Sequence, residues 1–163
     1  MSTTDKFSVL FICLGNRVRS VMAKAILDNK LRESNIDNVV TDSAGLIRMS
    51  GARAAENTIK ICASHGLDVR DHRSQQLSGS HIYQANLILT AEAEQSEYLK
   101  SVYDEHSEKI YTLTGYKGDV DGDIHDPYVE GEAEYEKVFL EIESHIIRIL
   151  PLISAESEDP KNQ

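Results

Sequence analysis

The sequence predicts a single α/β domain in which a parallel β-sheet carries helices on both faces. A chain of 163 residues with 40% apolar content is long enough to fill one hydrophobic core. Short apolar runs alternate along the chain with longer segments of helical periodicity. Such alternation is typical of parallel βαβ units, so we expect one sheet and one core.

Four short apolar runs predict the strands of this sheet. They cover residues 9–12, 39–41, 87–89 and 109–113. Each is bounded by polar or turn-forming residues, as expected for strands buried on both faces.

The segments between these runs predict helices, and the last one gives the strongest signal. Helices are expected from residue 20 toward 32, over 52–65 and over 95–103. The final helix has an apolar stripe of period 3.6, made of Tyr135, Val138, Phe139, Ile142, Ile146, Ile149, Leu150 and Ile153. We expect the domain to cover residues 1–154 and a frayed polar tail to cover 155–163.

The most informative segment joins the first strand to the first helix and reads Cys-Leu-Gly-Asn-Arg-Val-Arg-Ser over residues 13–20. A loop that leaves a strand and enters a helix can direct successive backbone N–H groups at one anion, and the helix dipole adds positive potential. We therefore predict a phosphate-binding loop. Its expected phosphate-binding residues are Leu14, Gly15, Asn16, Arg17, Val18 and Ser20.

Individual side chains of the loop suit this role. Gly15 and Asn16 tolerate the positive φ of a tight curl. Ser20 is a natural N-cap, and Arg19 offers a planar fork of donors for two phosphate oxygens. The same surroundings stabilise the thiolate of Cys13, which makes it a candidate nucleophile. The alternative is a structural loop in which Cys13 is only a small buried residue.

The run from Val9 to Ser20 resembles the active-site signature of the low-molecular-weight protein tyrosine phosphatases. Their superfamily includes bacterial protein arginine phosphatases and arsenate reductases. The likeness continues at residues 42–45, 72–74, 85–90 and 126–128, and spans about residues 7 to 153. It implies a doubly wound, four-stranded sheet of order 2-1-3-4 and hydrolysis of phosphomonoesters through a phosphocysteine, without a metal or cofactor.

A leaving group displaced from phosphorus needs a proton that a thiolate nucleophile cannot supply. Asp126, before Pro127, is the candidate acid, although an Asp-Pro pair alone is also a common turn. Matched to the family's acid loop, Asp126 is expected to be catalytic and Tyr128 to contact the substrate. By the same resemblance, Asn16, Ser20, Ser43 and His72 brace the loop.

Three positions of the signature depart from the family pattern. Val18 replaces a second cysteine and Val21 replaces a proline. Arg17 stands where tyrosine-specific relatives tend to have an apolar residue and arginine phosphatases a threonine. We expect phosphotyrosine or another aryl phosphate as the substrate, with phosphoarginine as the alternative. A binding module without turnover is a further alternative. An arsenate reductase is disfavoured, because Cys62 is the other cysteine and the second predicted helix makes it a structural residue.

The composition of the chain limits the classes of ligand that the protein is expected to bind. Seventeen basic and 27 acidic side chains give a net charge of −10, which disfavours nucleic acid as a ligand. No apolar run is long enough to cross a bilayer, and the first residues lack a signal-peptide core, so we expect a cytoplasmic protein. A phosphorylated protein or small aryl phosphate is the expected partner; the oligomeric state is not predicted. Asp119, Asp121 and Asp123 are expected to form a solvated turn rather than a calcium loop.

Overall fold

The strands form one parallel sheet with the first strand near its centre. The computed structural model describes residues 6–119 and 122–162. Its strands are β1 (Phe7–Cys13), β2 (Val39–Gly45), β3 (Leu87–Thr90) and β4 (Ile110–Thr112). They pair in the order β2-β1-β3-β4, and all are parallel. The expected doubly wound order is thereby confirmed.

In the described part of the chain, five α-helices connect and cover the strands. They are α1 (Arg19–Glu33), α2 (Glu56–Ser64), α3 (Gly79–Gln84), α4 (Ala93–Val102) and α5 (Glu132–Glu158), with 3₁₀ turns at Asp104–Lys109 and Pro160–Asn162. Within the described ranges, no helix has the length and hydropathy needed to span a membrane.

Successive strand residues point to opposite faces, and each face has its own apolar cluster. Val9 and Phe11 of β1 belong to the larger cluster, which includes residues of α1, α2 and α5. Leu10 and Ile12 belong to the smaller one, which includes Ile82 of α3 and Leu99 of α4. Because both faces are covered, the strands are apolar along most of their length, which explains why they could be recognised from sequence.

Two predicted boundaries were wrong near the site. The second strand continues to Gly45 instead of ending at residue 41, because it pairs with β1 along the full length of that strand. The second helix begins at Glu56 rather than at residue 52. Ala55 is extended (φ −56°, ψ 146°), and its N–H donates to the carbonyl of Arg17. The segment before α2 is therefore bound to the loop after β1.

The chain end also differs from expectation. Residues 155–158 continue α5 instead of fraying. Ser157 is buried, and its hydroxyl accepts a 2.8 Å hydrogen bond from Asn38 Nδ2. This contact anchors the end of α5 beside the start of β2. The short helix α3 was not predicted, since six residues carry too little periodicity to be recognised.

Candidate active site

The candidate site lies at the carboxyl edge of the sheet, where β1 ends at Cys13. β2 and β3 flank β1 on its two sides, so the strand order reverses at this point. Crevices at such reversals are the usual ligand sites of open parallel sheets. The edge position brings together the loop of residues 14–18, the chain after β2 and the segment before α5.

Asn16 organises the loop. It is fully buried and adopts a positive φ of 54°, whereas Gly15 does not use that region. Its Nδ2 donates to Ser20 Oγ (2.8 Å) and Ser43 Oγ (3.0 Å). His72 Nε2 donates to the Asn16 carbonyl at 2.8 Å, so the structure brings the four expected bracing residues together.

Two residues that the sequence reasoning missed complete this brace. Gln75 donates its backbone N–H to Asn16 Oδ1 at 3.0 Å. Gly45 lets the loop approach β2, because a Cβ there would lie 2.9 Å from the carbonyl carbon of Gly15 and 3.0 Å from Asn16 N. The glycine at the end of the apolar run of β2 was the available signal for this contact.

Ser20 lies beside the sulfur of Cys13. The prediction that Ser20 is the N-cap of α1 is wrong. Helix α1 begins at Arg19, with Val18 at the cap position. The Ser20 hydroxyl lies 3.0 Å from Cys13 Sγ. Since Asn16 already donates to this oxygen, the single hydroxyl proton is available to the sulfur. A hydrogen bond to sulfur favours the thiolate over the thiol.

Arg19 connects the loop to the segment that carries Asp126. Its side chain is 3% exposed, and Nη1 donates to the Ile124 carbonyl at 2.8 Å. Nη2 lies 3.4 Å from Asp126 Oδ2, and Nη1 lies 3.4 Å from Glu92 Oε2. Glu92 was missed, although it follows β3 and so lies at the same edge of the sheet. Arg19 is thus fixed between the loop and two carboxylates.

Asp126 lies at the rim of the cleft with both oxygens engaged. Oδ1 accepts the backbone N–H of Tyr128 at 3.1 Å, and Oδ2 faces Arg19. The side chain remains 38% exposed, so an incoming molecule can reach it.

Arg17 crosses from the loop to Tyr128. Its Nη1 donates to the Tyr128 hydroxyl and its Nε to the Arg53 carbonyl, each at 2.9 Å. Its Cζ lies 5.6 Å from the centre of the Tyr128 ring. The side chain is therefore held at the mouth, whereas Val18 and Val21 are buried in the core.

A cavity of about 170 Å³ opens over Cys13. Its lining comprises Cys13, Leu14, Gly15, Arg17, Val18, Arg19, Ile47, Met49, Asp126 and Tyr128. Ile47 and Met49 were missed, although the segment after β2 is placed at this edge by the strand order. They add apolar surface to the cavity that Asp126 also lines, which suits a flat apolar group attached to an anion.

The remaining predicted residues lie apart from the cleft or carry other contacts. Cys62 is fully buried on α2, and desolvation raises the pKa of its thiol to about 12. Asp123 Oδ1 accepts the Ala93 N–H, and Asp119 is exposed, while Asp121 lies outside the described residues. Among residues 6–119 and 122–162, no three His, Cys, Asp or Glu side chains are arranged to hold a metal ion.

Comparison with known proteins gives consistent matches over nearly the whole chain. The sequence model of the low molecular weight phosphotyrosine protein phosphatases matches residues 8–159. A probable low molecular weight protein-tyrosine-phosphatase, EpsP, from Ralstonia nicotianae is 31% identical over 149 residues, which are 91% of this chain and 97% of that protein. A protein-arginine-phosphatase from Geobacillus stearothermophilus is 30% identical over 150 residues, 92% and 98% of the two chains. The crystal structure of a low molecular weight protein tyrosine phosphatase from T. tengcongensis has a TM-score of 0.85 at 29% identity, with 90% and 99% coverage.

Proposed function

Because this chain belongs to the low molecular weight phosphotyrosine protein phosphatase family, whose members hydrolyse phosphoric monoesters, we propose that it dephosphorylates phosphotyrosine in proteins through a phosphocysteine on Cys13. The observation that carries this proposal is the position of Cys13 Sγ, 3.0 Å from the Ser20 hydroxyl at the floor of the cavity. The sulfur has a hydrogen-bond donor beside it and lines the cavity that a phosphate ester would enter.

In the first step, Cys13 Sγ attacks phosphorus and the bond from phosphorus to the phenolic oxygen breaks. Loop amides and Arg19 bind the equatorial oxygens, whose charge must be stabilised during transfer. Asp126, held at the rim by Tyr128 N–H and Arg19, gives its proton to the departing oxygen.

In the second step, water attacks phosphorus and Asp126 accepts its proton. The bond from sulfur to phosphorus breaks, and Cys13 leaves as a thiolate. The Ser20 hydroxyl assists by donating a hydrogen bond to the leaving sulfur. Phosphate is released and both residues return to their starting protonation states.

The cleft favours an aryl phosphate over phosphoarginine. Ile47 and Met49 offer apolar surface to a ring, and Tyr128 lines the same cavity. Phosphoarginine would bring its own guanidinium group close to Arg17, and like charges at short range repel. Phosphoarginine remains the second candidate, because the protein-arginine-phosphatase of G. stearothermophilus is 30% identical to this chain.

The cysteines of the protein also bear on its cellular compartment. Cys13 must stay reduced, and Val18 stands where relatives carry a second cysteine that could form a protective disulfide. Cys62, buried on α2, is not placed to act as a resolving thiol at the cleft mouth. We therefore assign the protein to a reducing compartment, the cytoplasm, and disfavour arsenate reduction.

Substrate choice is tested by comparing kcat/KM for a phosphotyrosine peptide and a phosphoarginine peptide of the same sequence. The wild type is expected to prefer phosphotyrosine. Arg17→Thr should shift the ratio toward phosphoarginine by about tenfold, because one positive charge leaves the mouth. A wild-type preference for phosphoarginine would contradict the substrate assignment.

The acid is tested separately with two aryl phosphates of different leaving-group basicity. Asp126→Asn should reduce kcat by about 10² to 10⁴-fold on the phenyl ester. The reduction should be smaller on the nitrophenyl ester, whose leaving group needs less protonation. Equal reductions on both esters would remove Asp126 from the role of acid.

A further inference from the structure

The mouth of the cleft has two walls of opposite charge. One wall is the segment of residues 46–55 with Arg17; its charged side chains are Arg48, Arg53 and Arg17, and it contains no acidic residue. We use the name basic wall for the three arginines Arg17, Arg48 and Arg53 only, and not for the whole segment. The other wall is the segment 122–130, which carries Asp123, Asp126 and Glu130.

The basic wall is tied to the phosphate-binding loop by backbone contacts. Leu46 and Ile47 donate N–H groups to the Leu14 carbonyl at 2.8 and 3.1 Å. Ala55 N–H donates to the Arg17 carbonyl, and Arg17 Nε donates to the Arg53 carbonyl. Ile47 and Met49, on either side of Arg48, line the cavity itself. The arginines are therefore carried by the rim of the active site.

Among the residues that the structure describes, no acidic side chain pairs with the charges of this wall. Arg48 and Arg53 are exposed, and no member of the basic wall forms an ion pair with another residue in the described part of the chain. By contrast, Arg70 pairs with Asp68 at 2.8 Å and Lys24 pairs with Asp28 at 2.8 Å.

We propose that the basic wall binds acidic side chains that flank the phosphotyrosine of a protein substrate. This inference rests on the proposed function and adds a sequence preference to it. A phosphotyrosine whose phosphate reaches the loop leaves its peptide backbone at the mouth. Residues two or three positions away then lie roughly 7 to 10 Å from it along the rim. Acidic residues on that side meet arginines, whereas basic residues on that side are repelled.

The test uses three phosphotyrosine peptides of one length, flanked by Glu and Asp, by Gln and Asn, or by Lys. The wild type should hydrolyse the acidic peptide with a kcat/KM about five- to tenfold above the neutral one, and the lysine peptide should be the poorest. This order should collapse in high salt, because exposed charges are screened.

Arg48→Gln with Arg53→Gln should remove most of the acidic preference. The rate on a small aryl phosphate, which does not reach these side chains, should change by less than about twofold. The matched control is Arg32→Gln with Lys100→Gln, which removes the same charge near the far ends of α1 and α4 and should keep the preference. Two results would overturn the proposal that the basic wall binds acidic side chains. One is equal kcat/KM for all three peptides, and the other is an acidic preference that survives in the Arg48→Gln, Arg53→Gln protein.

Failure of the proposed function gives a different result. It would appear as a wild-type protein that does not hydrolyse the small aryl phosphate. The basic wall can still be tested in that case by the affinities of the three peptides for the Cys13→Ser protein, measured by fluorescence anisotropy. Tighter binding of the acidic peptide that depends on Arg48 and Arg53 supports it, and equal affinities contradict it.

Discussion

The two cysteines of the molecule are almost equally buried but occupy opposite environments. Cys13 is 3% exposed and Cys62 is 0% exposed, and neither forms a disulfide. Cys13 ends a strand, borders a cavity and lies 3.0 Å from a hydroxyl. Cys62 lies on α2 in the apolar core, where desolvation raises its pKa to about 12. The exposed fraction of the side chain does not distinguish the two cysteines. The polar groups around each sulfur do distinguish them.

This difference shows that two buried thiols of one chain can have very different polar surroundings, and the proposed mechanism depends on that difference. An apolar environment penalises the thiolate, whereas hydrogen-bond donors and a helix N-terminus stabilise it. The donors around Cys13 are held in place by a network centred on Asn16, which reaches β2 and the segment before α3.

The largest expected effect comes from removing each of the two sulfur atoms in turn, which tests whether only one of them is needed for activity. Cys13→Ser should lower kcat on an aryl phosphate by at least about 10⁴-fold, because the nucleophile is lost. Cys62→Ala should change kcat by less than about twofold and lower the free energy of unfolding by about 1 kcal/mol. Steady-state rates and urea unfolding measure both. A large loss of activity in the Cys62→Ala protein with unchanged stability would contradict the assignment.

Ser20→Ala removes the polar partner that distinguishes Cys13 from Cys62. A hydrogen bond to a charged group contributes about 1.5 to 3 kcal/mol, so breakdown of the phosphocysteine should slow by about 10- to 100-fold. A burst of phenol followed by slow turnover is the expected signature in rapid kinetics.

Ser43→Ala is the matched control for this prediction. Ser43 accepts from Asn16, as Ser20 does, but has no contact with the sulfur in the described structure. Its removal should slow turnover much less and should produce no burst. Equal effects of the two substitutions would mean that Ser20 acts only through the loop conformation.

The smallest expected effect concerns the brace around the loop. Burial lowers the pKa of His72 below its ordinary value of 6.5, although its hydrogen bond to Asn16 opposes this. The unfolded chain then binds the proton more readily, so the free energy of unfolding should fall as the pH drops below about 6.5. His72→Gln should flatten this decline in urea unfolding measured above pH 5.

His145 provides the comparison for this measurement. Its pKa is also lowered, by burial and by Arg148, but it lies on α5 away from the loop. His145→Gln should therefore flatten the stability profile without changing phosphate affinity, whereas His72→Gln should weaken phosphate binding as well. Identical phosphate affinities for both variants and the wild type would show that His72 does not support the loop.

The sequence was most informative where the determining contacts are local or periodic. The strands, the stripe of α5 and the loop after Cys13 could be recognised because neighbouring residues define them. The start of α2 and the N-cap of α1 were predicted wrongly. The start of α2 depends on a distant partner, because Ala55 N–H donates to the Arg17 carbonyl. The N-cap of α1 is Val18 rather than Ser20, whose hydroxyl contacts Cys13 and Asn16 instead.

Long-range contacts of the site could not be predicted in this way. Arg19 reaches Ile124, 105 residues away, and Arg17 reaches Tyr128, 111 residues away. These contacts join segments that are far apart in the sequence, so they depend on the packing of the whole domain. Family resemblance identified Asp126 and Tyr128 as candidates, but it could not supply Glu92 or the bridge made by Arg17, which belong to the packing of this chain.

The central claim is that Cys13 becomes covalently phosphorylated, and acid quenching tests it most directly. The Ser20→Ala protein, in which breakdown of the phosphocysteine is expected to be the slow step, would be mixed with an aryl phosphate carrying radioactive phosphorus and quenched during turnover. We expect label on the proteolytic fragment that contains Cys13 and none on the fragment that contains Cys62. Absence of label during turnover, or label on any other residue, would contradict the account.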